Sequence, residues 1–254
     1  MSQSTFGKKF TVTTWGESHG KALGTVVDGV PAGLFLTEAD IQTYLDRRKP
    51  GQSRYTTARN EGDEVEILSG IFEGQTTGTP ISMIVRNKDQ RSRDYGNIAQ
   101  TYRPGHADFG FDSKYGFRDY RGGGRSSGRE TIGRVAAGAI AAKILKELGI
   151  TLQAYTRSIG PVSCHSYHPE VIKENSFYMP DMVAAEKASQ YLEQCMKEED
   201  SAGGVIECRI NGVPAGIGDP VFGKLDAAFA QALMSIGAVK AVGIGDGIKV
   251  STMK

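Results

Sequence analysis

Two of the four histidines stand in glycine-flanked turns. His19 lies in Gly16-Glu17-Ser18-His19-Gly20, and His106 lies in Arg103-Pro104-Gly105-His106-Ala107-Asp108. Glycine beside an imidazole lets the backbone bring the ring close to a ligand. Imidazole exchanges protons near neutrality, so both are candidates for acid–base work. The basic charge gathers in two runs. Residues 46–59 carry Arg47, Arg48, Lys49, Arg54 and Arg59 against one acid, and residues 118–134 carry five arginines against Asp119 and Glu130. The plainer reading of such runs is a solvated face. Here they are interleaved with Gly, Ser and Tyr, a texture that suits a loop folded round an anion, and arginine forks grip carboxylate and phosphate oxygens two at a time. The third feature is Arg121-Gly122-Gly123-Gly124-Arg125-Ser126-Ser127-Gly128, which runs straight into a helical pattern. Successive backbone N–H groups, two hydroxyls and a helix N-terminus make an anion cradle.

Other chemistries fit less well. No Walker lysine follows the cradle and no Gly-x-Gly-x-x-Gly follows a strand, so neither a P-loop nor a Rossmann site is expected. Cys164, His165 and His168 cluster at no common zinc spacing and lack a fourth ligand, so no metal is expected. RNA-binding Arg/Gly segments are long and open, whereas this one abuts a helix. The residues alone therefore point to an enzyme acting on a small polyanionic, phosphorylated substrate.

The elements that must hold these groups follow from periodicity. Alternating or β-branched segments predict strands at 10–15, 23–30, 65–71, 81–85, 152–160, 206–210, 239–244 and 248–251. Thr37, followed by Glu38 and Asp40, opens a helix that runs to about Arg47 and stops before Pro50-Gly51. Further helices are predicted over 128–148, over 181–197, and from Asp219-Pro220 through Ile236, while 87–127 shows no periodic segment. The helix over 128–148 is dense in Gly and Ala, which implies closely packed neighbours. Strands and helices mix without a regular βαβ repeat, so the expected class is α+β.

Composition sets the frame. The chain has 254 residues, 39% of them hydrophobic and 23% charged, with a net charge of +1. That excludes extended disorder and gives no global field toward nucleic acid or an anionic membrane. The longest apolar run, 136–145, is broken by Lys143 and is too short to span a bilayer. Three scattered cysteines make no disulfide framework, and the N-terminus has no apolar signal core, so a cytoplasmic setting is expected. Glycine supplies 33 residues, about twice the usual share, and must serve turns and close approaches.

Four segments carry a family resemblance: 16–20, Asp-Arg-Arg-Lys-Pro-Gly-Gln-Ser-Arg at 46–54, 103–108, and Arg-Gly-Gly-Gly-Arg-Ser-Ser-Gly-Arg-Glu-Thr at 121–131. Together they resemble chorismate synthase along the whole chain. The resemblance implies a β-α-β sandwich, a single domain over 1–254 and a homotetramer. It implies a lyase that eliminates phosphate in a 1,4 sense from 5-enolpyruvylshikimate-3-phosphate to give chorismate, the last step of the shikimate pathway. It implies reduced FMN, with NADPH as a possible reductant. By position, His19 resembles the histidine that protonates the departing phosphate, and His106 the one beside the flavin. Arg48 and Arg54 resemble contacts to substrate or NADP phosphate. Arg125, Ser126 and Ser127 resemble the flavin-binding stretch, as do Gly237 and Ala238, where the family usually has Asn-Ala. Family members also run on for about a hundred residues beyond the position of Lys254, so the expectation is a C-terminally incomplete fold. The alternative is an inactive fragment retaining only flavin or anion binding.

Overall fold

The computed structural model describes residues 3–53, 55, 61–88 and 99–254. The described residues divide into two compact units, one within Met1–Lys49, Asn60–Ile144 and Pro214–Lys254, the other within Pro50–Arg59 and Leu145–Val213.

In the first unit, β1 (Thr5–Gly7), β2 (Thr11–Gly16), β3 (Ala22–Asp28), β4 (Val65–Ile67) and β7 (Ile81–Arg86) form an antiparallel sheet in the order β1-β2-β3-β7-β4. A two-residue hairpin, β5 (Ile71–Phe72) and β6 (Gln75–Thr76), lies between β4 and β7 in sequence. Register sets the faces. Leu23, Thr25 and Val27 stand opposite Val85, Met83 and Ile81, so these side chains share one face. That face is buried against helices α1 (Glu38–Arg48) and α3 (Thr131–Glu147), whose Ile41, Leu45, Ile132 and Ile140 complete the core. Thr37 caps α1, its backbone N–H and hydroxyl both donating to the Asp40 carboxylate at 2.9 and 3.1 Å. Lys143, which interrupts the apolar run of α3, pairs with Asp40 at 2.8 Å and ties the two helices together.

In the second unit, β8 (Thr151–Ile159), β9 (Val162–Ser163) and β10 (Gly204–Asn211) form an antiparallel sheet in the order β10-β8-β9. Helix α4 (Met182–Lys197) buries Ala184, Ala185 and Ala188 in a small core with Cys164 and Met179. Asp181 caps α4 by accepting from the Ala184 N–H, and it also accepts from the N–H groups of His165 and Ser166. That motif is therefore a capping loop: the Cys164 thiol is buried, and His165 is engaged through its backbone.

The α+β class agrees with the sequence reading, and four predicted elements need correction. The strand predicted over 65–71 is split between β4 and β5 by Gly70, which adopts φ +82°. The stretch 87–127 contains α2 (Asp108–Tyr115), which buries only Asp108 and so shows no apolar stripe to betray it. The helix predicted from 219 begins later, as α5 (Leu225–Met234). Asp219 precedes a proline, which disfavours helical backbone, and it forms a turn to Gly223 instead. The strands predicted at 239–244 and 248–251 do not form; Gly247–Thr252 is a 3-10 helix. No strand pairs with these segments among the described residues, so the second one closes its backbone bonds locally.

The two inner glycines of α3 differ. A β-carbon at Gly133 would stand 2.8 Å from Thr14 Cγ2 and 3.3 Å from the Gly24 carbonyl, while at Gly138 it would meet nothing within 4 Å. Urea denaturation should therefore show Gly133→Ala destabilised by about 1–3 kcal/mol, as overpacking costs. Gly138→Ala should be stabilised by up to about 1 kcal/mol from helix propensity. Equal responses would show that α3 does not approach the sheet through Gly133.

Candidate active site

The end of β2 and the start of α3 are locked together. The Arg125 guanidinium donates to the carbonyls of Gly16 and Thr14 at 3.0 and 3.1 Å and to Thr14 Oγ1 at 2.7 Å. Thr14 in turn donates to Glu130 at 3.0 Å, and Glu130 accepts from Arg134 at 2.8 Å. Arg134 reaches on to the hydroxyl and carbonyl of Ser235 at 2.6 and 3.1 Å. This chain of bonds ties the 125–127 turn and the turn at Gly237-Ala238 to the first turns of one helix. Arg125 thus points its charge into the scaffold. The Ser126 hydroxyl donates to the Gly123 carbonyl at 2.7 Å, and the Ser127 hydroxyl accepts from the Arg129 N–H at 3.3 Å.

His19 is buried, 8% exposed, in the loop between β2 and β3. Asn87 holds that loop by donating to the carbonyls of Glu17 and Gly20 at 3.2 and 2.8 Å. Arg129 fixes Asn87 by donating to its side-chain oxygen at 2.9 Å, and pairs with Asp63 at 3.0 Å. Asp63, fully buried, pairs on its other side with Arg48 at 3.2 Å. The predicted phosphate ligand Arg48 therefore sits at one end of a buried ionic relay whose other end carries the His19 loop. Arg54 lies outside the described residues.

His106 is exposed in a turn closed by a fork. Arg103 donates through Nε and a terminal nitrogen to the two Asp108 oxygens, both at 2.9 Å, and its backbone N–H adds a third bond at 3.0 Å. The Arg103 side chain holds the Asp108 carboxyl well below the usual range, against the opposing effect of burial. His106 Nδ1 lies 3.0 Å from the Pro104 carbonyl. A carbonyl only accepts, so Nδ1 carries the proton of the neutral ring and Nε2 is left as its basic atom.

Beside these loops opens a cleft of about 880 Å³, lined by Glu17, Tyr102, Arg118, Asp119, Tyr120 and Arg121 among others. Arg118 is buried. It donates to the carbonyls of Ala99 and Thr101 and to Asp112, and stacks 5.2 Å over the Tyr102 ring. Burial would raise the Asp119 carboxyl, but hydrogen bonds from Arg121, with the charges of Arg121 and His19, outweigh it and hold the group below its ordinary value. Arg118 and Asp119 lie in the basic run that the sequence singles out, though the run does not show that Arg118 is buried or that Arg121 pairs with Asp119. Asn87 and Asp63 were not legible as site residues, because each acts through Arg129, a partner distant in the chain.

The cleft is walled by aromatic rings and arginines, a lining whose chemistry suits an anion with a flat face. The comparisons give the family. The family model for chorismate synthase matches residues 10–254. A chorismate synthase from Agathobacter rectalis is 67% identical over 249 residues, spanning 97% of this chain and 68% of that protein. One from Lachnoclostridium phytofermentans is 63% identical over 253 residues, spanning 99% of this chain and 69% of that protein. A crystal structure of chorismate synthase superposes with a TM-score of 0.80 at 32% identity, covering 97% of this chain and 72% of that one. The chain belongs to the chorismate synthase family. Among the described residues, no helix is long and apolar enough to cross a membrane.

Because folding lowers the Asp108 carboxyl, the fork's contribution is complete above the ordinary aspartate value of about 3.9 and is lost only as pH falls through the lower, folded value. Amide exchange at Arg103 should stay slow from pH 7 to about 4, and Asp108→Asn should accelerate it across that window. Equal exchange in the two proteins would remove the fork as the closure of the His106 turn.

Proposed function

We propose that the chain performs the reaction of its family, the 1,4-elimination of phosphate from 5-enolpyruvylshikimate-3-phosphate to give chorismate, a carbon–oxygen lyase step in aromatic biosynthesis. The single observation that carries the residue assignment is His19, buried in the loop between β2 and β3, with its charge acting on Asp119, a residue of the arginine-lined cleft. In the elimination a C–O bond to phosphate and a C–H bond break, and a new double bond forms. His19, as imidazolium, gives its proton to the departing phosphate, which leaves more readily when protonated. Arg48 and Arg54 hold the anionic groups of the substrate.

The cleft also suits reduced FMN. Its volume and its Tyr102 and Tyr120 rings match a flat heteroaromatic ring, and its arginines match a phosphate. Ser126, Ser127, Gly237 and Ala238 would hold the group. Arg125 would act from behind, keeping the 125–127 turn on the scaffold. The chemistry a bound reduced flavin supplies is transient electron donation to the reacting carbons, with no net redox change. His106 offers Nε2 as the atom that takes up or releases a proton beside it. We extend the reading to NADPH as reductant, a homotetramer formed from single-domain subunits, and a cytoplasmic setting.

The test is phosphate release with reduced FMN in the full-length chain. His19→Ala and His106→Ala should each lower turnover by about 10²- to 10³-fold, the usual range for a lost acid or base. Both folds should persist, because neither ring belongs to an apolar core. Parent-level turnover in both variants would sink the assignment. Arg48→Lys should weaken substrate affinity measured by calorimetry, since an ammonium cannot reproduce the fork. Unchanged affinity would leave Arg48 a structural partner of Asp63 alone.

A further inference from the structure

We propose that Gly122 is a positioning residue for His19, and that the side chain missing at 122 is the seat of the imidazole. The inference rests on the reading of His19 as the proton donor. A β-carbon built on Gly122 would lie 2.0 Å from His19 Nδ1 and 2.1 Å from Cε1, far inside van der Waals contact. The Nδ1–Cε1 edge of the ring thus occupies the space a β-carbon at 122 would take, and any other residue at 122 would expel it. The His19 loop is held from two further directions. The Ser18 N–H donates to the Gly124 carbonyl at 3.4 Å, and Asn87 holds the carbonyls of Glu17 and Gly20. With the loop backbone pinned on both sides, the ring cannot follow a displaced seat by moving the whole turn. A buried acid displaced by about an ångström loses its line to the leaving oxygen, so the consequence falls on turnover rather than on binding.

A glycine away from the site gives an internal control. Gly122 and Gly74, in the turn between β5 and β6, both adopt left-handed backbone, φ +60° and +77°, so alanine carries comparable backbone strain at either position. They differ in what the new methyl meets: at 74 nothing lies within 4 Å.

The experiment compares Gly122→Ala, Gly74→Ala, His19→Ala and the double variant Gly122→Ala/His19→Ala in the full-length chain. It reads steady-state phosphate release and the imidazole resonances of histidine-labelled protein. Gly122→Ala should lower kcat by about 10²-fold with KM little changed. It should move the His19 resonance and leave those of His165 and His168 in place. Gly74→Ala should do neither. In the His19→Ala background, Gly122→Ala should cause no further loss, because the interaction it disrupts is already gone. If Gly122→Ala alone fails to fold, recovery of folding in the double variant supports the seat, and failure of both overturns it. Equal kcat in Gly122→Ala and Gly74→Ala with an unmoved His19 resonance also overturns it. Parent-level turnover in His19→Ala would instead sink the donor assignment, while the resonance comparison still reports whether Gly122 seats the ring.

Discussion

The joint between the end of β2 and the start of α3 carries the loop of His19 and the 125–127 turn. Thr14 is its pivot. It receives the Arg125 guanidinium, donates to Glu130 and lies against Gly133, so a helix start, a strand end and an arginine converge on one short side chain. The loops that leave this joint are the ones that hold the chemistry: 17–20 carries His19, 121–124 supplies its glycine surface, and Glu130 leads through Arg134 to Ser235. A charge-assisted bond is worth about 1.5–3 kcal/mol, and several on one residue make the relative placement of these loops stiff. Stiffness is what an acid catalyst needs, since its proton must arrive along a fixed line.

The second constraint is electrostatic. Asp63 is fully buried between Arg48 and Arg129, and Arg129 passes the restraint to Asn87 and so to the backbone of the His19 loop. Buried ion pairs contribute little net stability, because desolvation offsets most of the attraction; losing one partner is costly because it strands the other. The network therefore acts as a specification: it admits one arrangement of α1, the 61–64 segment and the 17–20 loop. Arg48 belongs both to this network and to the proposed anion site, so ligand binding and loop placement share a residue. The Arg103–Asp108 fork does the same work locally for His106, closing a short turn with no hydrophobic contact needed.

Much of the fold was legible in the chain. Strands β2, β3, β7, β8 and β10 and helices α1, α3 and α4 follow from alternation, capping residues and apolar spacing, because these signals are local and each element buries one face. The glycine-flanked histidines and the Arg/Gly/Ser run pointed to the family for the same reason: they are contiguous motifs. Elements without such a stripe were lost. Helix α2 is held by ion pairs, and the segments at 239–244 and 248–251 have strand-like residues but no strand beside them.

The sequence by itself determined which residues could do chemistry, which segments could form elements, and the family. It could not determine which way each arginine turns. Arg125 reads as a ligand contact and faces the scaffold; Arg118 and Arg129 belong to a run that reads as a loop folded round an anion, and both are buried. Those outcomes depend on partners more than a dozen residues away, such as Thr14, Asp63 and Ala99. Nor could it reveal that the value of Gly122 lies in an absent β-carbon rather than in its backbone freedom. That fact exists only when two loops separated by a hundred residues meet, and the physical reason is excluded volume. Local physics sets conformational preference, whereas contact between distant segments decides which atoms must be missing.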